Sequence, residues 1–495
     1  MKLLKAALGL GGVTLLLVGA ASFSDRIAYN QDGREITRLI AEYKAMGVPT
    51  NGDELVKTIP DSENAWVEIG PILLSKQGTG TGNLFKSAVA LELMMTCNKD
   101  DLPLMRKYLS ENQAKRERIE AALTAKPKIQ VPHDYDEGYM MLLPEYSAIR
   151  SLTREYCLAS YVAGLEGNMP EVTRNLDIAN RFATNCLERP EYIGASIGAS
   201  LRKNILQAAL RVIEANPALS DELESYVTGP AMSTVADPKR IILSEFVAQI
   251  SIARYFDVPE LDRPAVPSFL KGIVATRTDG DIEKLGRVRH GDTIPDSSTM
   301  RKFLRNRLET WQPILKDLIK SGSTSPEGYA KVNNINSELP KKLSFLAPDQ
   351  PYFNRDQLYR GIGFAQEYRE MAKALFKAMA IKRKTGKYPN SFQEIGSPIR
   401  LLVPTDIVVY NIISDTVSFR VDNRSRGVMA TDQGLSFPAS NSTIWPTYAS
   451  DIQKVRKYRN GEILFDGTTT AGVAKLGAPT PIPPRAPKPG TTRVP

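Results

Sequence analysis

Histidine is the scarcest functional residue in this chain. Two of them, His133 and His290, serve 495 residues, which excludes a metal site built on several imidazoles. Three cysteines, Cys97, Cys157 and Cys186, exclude a disulfide framework, and their odd number leaves one thiol unpaired. None lies near the amino-terminal apolar run, so lipid attachment to a cysteine there is excluded too. The body also lacks a surplus of positive charge. Lys2 and Lys5 at one end, and eight basic against two acidic residues from Lys454 onward, account for all but one of the net charge of +9. A nucleic-acid-binding domain needs its basic face within the fold, so nucleic acid is excluded as a partner.

What the chain does have is an uncharged run of 18 residues, Ala6 to Phe23, behind Lys2 and Lys5. A basic start before an apolar segment marks export or a membrane anchor, with the amino terminus kept in the cytoplasm. The run is long enough to cross a hydrocarbon core of about 30 Å as a helix. Four glycines dilute it, and Gly19 and Ala21 suit cleavage after Ala21. Residues 1–24 are therefore a signal peptide or a retained anchor. The bulk of the chain is expected outside the cytoplasm, at the inner membrane or exported.

With 42% hydrophobic and 24% charged residues, the body has the make-up of a folded globular chain. Its apolar spacing is mostly helical. Helices are expected at Asp32–Met46, at Leu102–Leu123, and as a hairpin from Glu145 to Leu187 turning at Gly167-Asn168. Another opens at Pro190, an amphipathic one follows Ser297, and a long one runs from Arg355 to Thr385. The period then shortens to two at Ile407–Ile413, Val417–Val421 and Gly427–Thr431, which read as strands. From Gly477 onward, proline and glycine make an extended tail. The expected architecture is mainly α, a helical-hairpin ectodomain with a small carboxyl-terminal α+β module carrying a short antiparallel sheet. Its spans are a helical domain at 25–235, a second helical region with a charged loop at 236–350, the α+β module at 351–470 and a proline-rich tail at 471–495.

Two segments carry a resemblance. Ala374 to Ile395 holds Thr-Gly-Lys-Tyr-Pro at residues 385–389, followed by Phe392 and Ile395. It is similar to the Gly-Lys-Tyr-Pro helix end of type II secretion pseudopilins. The same pattern occurs in exported proteins of planctomycete-like bacteria. Leu152 to Leu210 resembles the middle of those exported proteins: a helix, a Glu-Gly-Asn turn, a second helix and an Arg-Pro-Glu-Tyr-Ile start to a third. That group has no established activity, so the resemblance implies architecture and not chemistry. The chain lacks the pilin cleavage site, and the calcium-binding turn of pseudopilins is reduced to Pro404-Thr405-Asp406. It is not a pilin.

Four stretches could carry chemistry. His133-Asp134-Tyr135-Asp136-Glu137 combines an imidazole with carboxylates, as acid–base work or metal ligation requires, but Pro132 and Gly138 read as bounds of an exposed loop. Arg287-Val288-Arg289-His290-Gly291-Asp292 could hold an acidic ligand, although neighbouring charges of both signs favour a solvated loop. Gly78–Gly82 with Lys86 lacks the glycine directly before lysine that a phosphate loop needs. Gly194-Ala195-Ser196-Ile197-Gly198 spells a hydrolase nucleophile elbow, yet it sits in a helical pattern with no strand before it, so close helix packing is the better reading. No catalytic residue, cofactor or metal is assigned from these. Cys157 and Cys186 fall at mismatched heights of the expected hairpin and are read as unjoined. The expectation is a non-enzymatic cell-envelope protein that contacts protein or envelope components and meets the membrane through its amino-terminal segment. The alternatives are an exported hydrolase with a scattered site, or an accessory of a secretion or pilus apparatus.

Overall fold

The computed structural model describes residues 30–74, 101–141, 143–251, 297–321, 355–396, 407–413, 416–422 and 434–437. The amino-terminal apolar run, Cys97, His290, the Gly78–Gly82 and Arg287–Asp292 stretches, the expected strand at Gly427–Thr431 and the proline-rich tail lie outside them. The described chain is mainly helical, as its apolar periodicity requires. No described helix is long and apolar enough to cross a membrane.

Helix α1 covers residues 30–45 and α2 is the single turn Gly52–Leu55. Helices α3 (Trp66–Leu74), α4 (Leu102–Glu111) and α5 (Gln113–Ala125) follow. The stretch expected as one helix from Leu102 is split at Asn112, whose side chain donates to the Tyr108 carbonyl and whose backbone sits at φ −105°, ψ 5°. A turn of 3-10 helix, Tyr135–Met140, leads into three long helices, α6 (Glu145–Leu165), α7 (Met169–Glu188) and α8 (Tyr192–Ala215). The α6–α7 turn is the expected one. Gly167 takes φ +71°, and the Asn168 side chain caps α7 by accepting from Glu171 N.

Beyond α8 come α9 (Ser220–Thr228), α10 (Pro238–Ser251), α11 (Ser297–Ser321), α12 (Arg355–Thr385) and the single turn α13 (Phe392–Ile395). Strands β1 (Ile407–Ile413), β2 (Thr416–Asp422) and β3 (Gly434–Phe437) pair antiparallel in that order, with Tyr410 opposite Phe419.

Helix α8 organises the molecule because it is buried nearly all round, with neighbours on each side. One side, with Leu201, Ile205, Ala208 and Val212, joins α3–α7, α9 and α12 in the larger core. The other, with Ala195 and Ala199, joins α1, α10 and α11 in the smaller one. On α11 the buried residues Leu304, Leu308, Trp311, Leu315 and Leu318 alternate steps of four and three, a seam suited to helix neighbours. Phe246 of α10 sits between Tyr43 of α1 and Trp311, at ring distances of 5.1 and 5.6 Å.

Close approach is built from glycine. A Cβ on Gly164 would lie 2.5 Å from Val212, and one on Gly198 would lie 2.8 Å from Leu187 N and 2.9 Å from the Ala183 carbonyl. These two positions let α6 and α7 draw up to α8. Cys157 and Cys186 are both buried and free.

Candidate functional site

Helix α7 presents a polar face to an extended stretch of chain, residues 127–131. Arg181 donates to the carbonyls of Leu123 and Pro127, both at 3.0 Å, and Asn185 Nδ2 donates to the Ile129 carbonyl at 2.6 Å. Four residues of helix rise about 6.0 Å, close to the roughly 6.6 Å spanned by two residues of extended chain. Side chains four apart on α7 can therefore meet alternate carbonyls. Arg181 also places a cation at the carbonyl end of α5, where the helix dipole favours it. Asn64 grips the other side of the stretch, accepting from Gln130 N and donating to the Gln130 carbonyl. Both edges of the segment are therefore bonded.

The same ladder continues to Arg189, and there the chain buries charge. Arg189 Nη1 donates to Glu145 Oε1 at 2.6 Å, and Nη2 donates to Asn185 Oδ1 at 3.1 Å. His133 Nε2 lies 3.0 Å from the same Glu145 oxygen. Glu191 accepts from the hydroxyls of Tyr135, at 3.1 Å, and Tyr146. The guanidinium of Arg189 stacks 4.7 Å above the Tyr146 ring. Side-chain exposure is 5% for His133, 1% for Glu145 and 6% for Arg189.

His133 is thus turned inward, which corrects the exposed-loop reading of residues 133–137. Pro132 and Asp134 remain exposed as expected, whereas Asp136 is buried and accepts from Gly52 N at 2.9 Å, tying the segment to α2. Burial pushes the Glu145 carboxyl up, but the His133 hydrogen bond and the charges of Arg189 and His133 outweigh it and hold it below its ordinary value. Burial, with the Glu191 charge against it, drives the Tyr135 hydroxyl far above its usual range.

Glu145, Asn185, Arg189 and Glu191 carry this cluster, and no motif in the sequence joins them to His133. The one available signal was Arg189-Pro190-Glu191, two opposite charges around a proline between apolar helices. The elbow-like Gly194-Ala195-Ser196-Ile197-Gly198 lies inside α8 with no strand before it, so it forms no nucleophile elbow. Its glycines serve packing. A Cβ on Gly194 would sit 2.6 Å from the Tyr146 hydroxyl, and Gly198 admits Leu187 of α7. Among the described residues, no group of three His, Cys, Asp or Glu side chains could hold a metal ion.

Beside the cluster runs an open cavity of about 1520 Å³ along α7. Thr173, Asp177, Arg181, Thr184 and Glu188 form its floor, residues 127–131 one wall, and Pro230, Ala231 and Thr234 the other. Tyr135, Arg189 and Arg240 border one end. The positions 173, 177, 181, 184 and 188 repeat at helical spacing, so the floor is a single stripe about 22 Å long. Several of its charges are already engaged: Arg174 pairs with Glu120 and Glu171, and Arg240 donates to the Glu188 carbonyl. No protein-family model matches the chain, and neither a curated protein nor a solved structure is detectably similar to it.

Proposed function

We propose that this chain is a non-enzymatic interaction ectodomain, held outside the cytoplasm by its amino-terminal segment, whose partner is a protein or envelope component seated in the α7 groove. The observation that carries this reading is the rigid lining of the groove. One wall is fixed by the Arg181 and Asn185 ladder and the other by Asn180, which donates to the Ala231 carbonyl at 2.8 Å. A preformed wall limits the ordering cost of binding. The neighbouring ionisable cluster directs its hydrogen bonds to its own members, which suits a brace better than an acid–base centre. The end of α12, α13 and the three strands read as a small α+β module of the pseudopilin type. Its support is the turn itself: Gly386 takes φ +78°, Lys382 lies 4.3 Å over the Tyr388 ring, and Tyr410 donates to the Pro389 carbonyl at 2.6 Å.

Site-specific photo-cross-linking in intact cells tests the reading. A photoreactive residue at Thr173 or Thr184 should give one discrete cross-linked species, absent from the same probe at exposed Val67 and lost when Asp177→Arg is added. Equal labelling at all three positions would overturn it.

A second reading, an exported hydrolase, is favoured by one observation: the buried His133–Glu145 pair adjoins the groove through Arg189. There, His133→Gln should abolish turnover while leaving the melting temperature unchanged. In the interaction reading it lowers the melting temperature.

A further inference from the structure

Behind the groove floor lies a charge that the fold does not neutralise. Arg202 of α8 is 1% exposed. Its Nη2 donates to Thr184 Oγ1 at 2.8 Å, while its Nε has no partner. Arg369 of α12 lies within electrostatic reach. It gives Nη2 to the carbonyls of Thr228 and Gly229, at 2.9 and 3.3 Å, and its Nε is also unpartnered. Among the described residues, no carboxylate makes an ion pair with either guanidinium.

The two unpartnered guanidinium nitrogens are N–H donors with capacity for an ion, water or ligand group. Burial pulls the Arg202 guanidinium down to about 10, with Arg369 adding to the fall and Tyr226 and Glu188 opposing it. An unpaired cation this deep is costly, and it is a single hydroxyl away from the groove, because Thr184 lines the floor.

We propose that Arg202 and Arg369, behind Thr184 of the groove floor, form an oxyanion subsite of the groove, taking a carboxylate or phosphate group. The guanidinium fork matches either oxyanion, and five N–H donors with a single bond made leave capacity for it. As a ligand subsite this rests on the groove being the binding surface, and it names the chemistry of the occupant: an extended ligand whose acidic group sits toward the Glu188 end of the floor.

The test is thermal unfolding of the full chain with phosphate or acetate replacing chloride at constant ionic strength. Wild type should melt higher as either anion rises. At a phosphate concentration ten times its dissociation constant, the folding constant should grow about elevenfold. Arg202→Met should melt at or above wild type without anion, since an apolar side chain there removes the uncompensated charge, and should lose the anion response. Arg369→Met, at a half-buried position, gives the same loss of response should the first variant not fold. Phosphate and acetate acting no more strongly than chloride on wild type, or a response kept in both variants, would overturn the subsite. Phosphate acting without acetate would mark the source as a phosphate group. A groove cross-link without an anion response sinks the subsite alone. The response without a position-specific cross-link sinks the groove reading alone.

Discussion

Replacing Arg189 by methionine should cost more than any other single change at the buried cluster. The substitution keeps much of the side-chain volume but strands Glu145 and Glu191, whose side chains are 1% and 10% exposed. Removing one partner from a buried ion pair costs about 3–5 kcal/mol. With about 2.1 cal/mol/K of unfolding entropy per residue, each kcal/mol lowers the melting temperature of a 495-residue chain by about 1 °C, so the loss should be about 3–5 °C.

Adding Glu145→Gln removes the stranded charge and should recover about half of that loss, about 1.5–2.5 kcal/mol, and the coupling energy in the double-mutant cycle is that recovery plus the cost of Glu145→Gln alone. Circular-dichroism melting of the full chain in detergent reads all three variants. The pH dependence has a fixed sign. Glu145 titrates below its ordinary 4.5 in the folded protein, so its contribution is present above the unfolded value and lost as pH falls through the folded one. The gap between wild type and Glu145→Gln should hold steady from neutral pH to about pH 5 and close below about pH 4. An Arg189→Met variant within about 1 kcal/mol of wild type would refute the buried-pair argument, and so would a gap already closing above about pH 5.

Gly198→Ala should destabilise by about 1–2 kcal/mol in urea unfolding, because the new Cβ meets backbone atoms of α7 and overpacking outweighs the gain in helix propensity; unchanged stability would show that α7 and α8 can part freely. Cys157 and Cys186, both buried and both pushed up to about 12 by burial, should resist thiol reagents in the native protein and react on unfolding. Mass mapping should find no peptide joining them, and a linked peptide would break the hairpin geometry. A reporter active only outside the cytoplasm, fused after residue 350, should be active, while a stable but inactive fusion would place the bulk of the chain on the other side of the membrane.

The helices were legible because their information is local. Gly167-Asn168 announces the α6–α7 turn, and the apolar stripe after Ser297 announces α11, since helix periodicity and caps are set within a few residues. Asn112 shows where that locality ends. Nothing in the Leu102–Leu123 pattern distinguishes a polar residue facing solvent from one whose side chain takes a backbone carbonyl and splits the helix. The site lay beyond such reading altogether. His133 meets Glu145 across 12 residues and Arg189 across 56, and no spacing rule links side chains that far apart. Pro132 opens irregular backbone, but Gly138 falls inside the 3-10 turn Tyr135–Met140. Whether such a segment is solvated depends on what packs against it, and here that is Glu145 and Arg189 on His133, Glu191 on Tyr135 and Gly52 on Asp136. The uncompensated charge of Arg202 is equally silent in sequence, because arginine in the middle of a helix looks the same whether it reaches water or another cation. A helix pattern reports which residues face inward. It does not report which of those are left without a counter-charge, because a counter-charge comes from whichever element packs opposite.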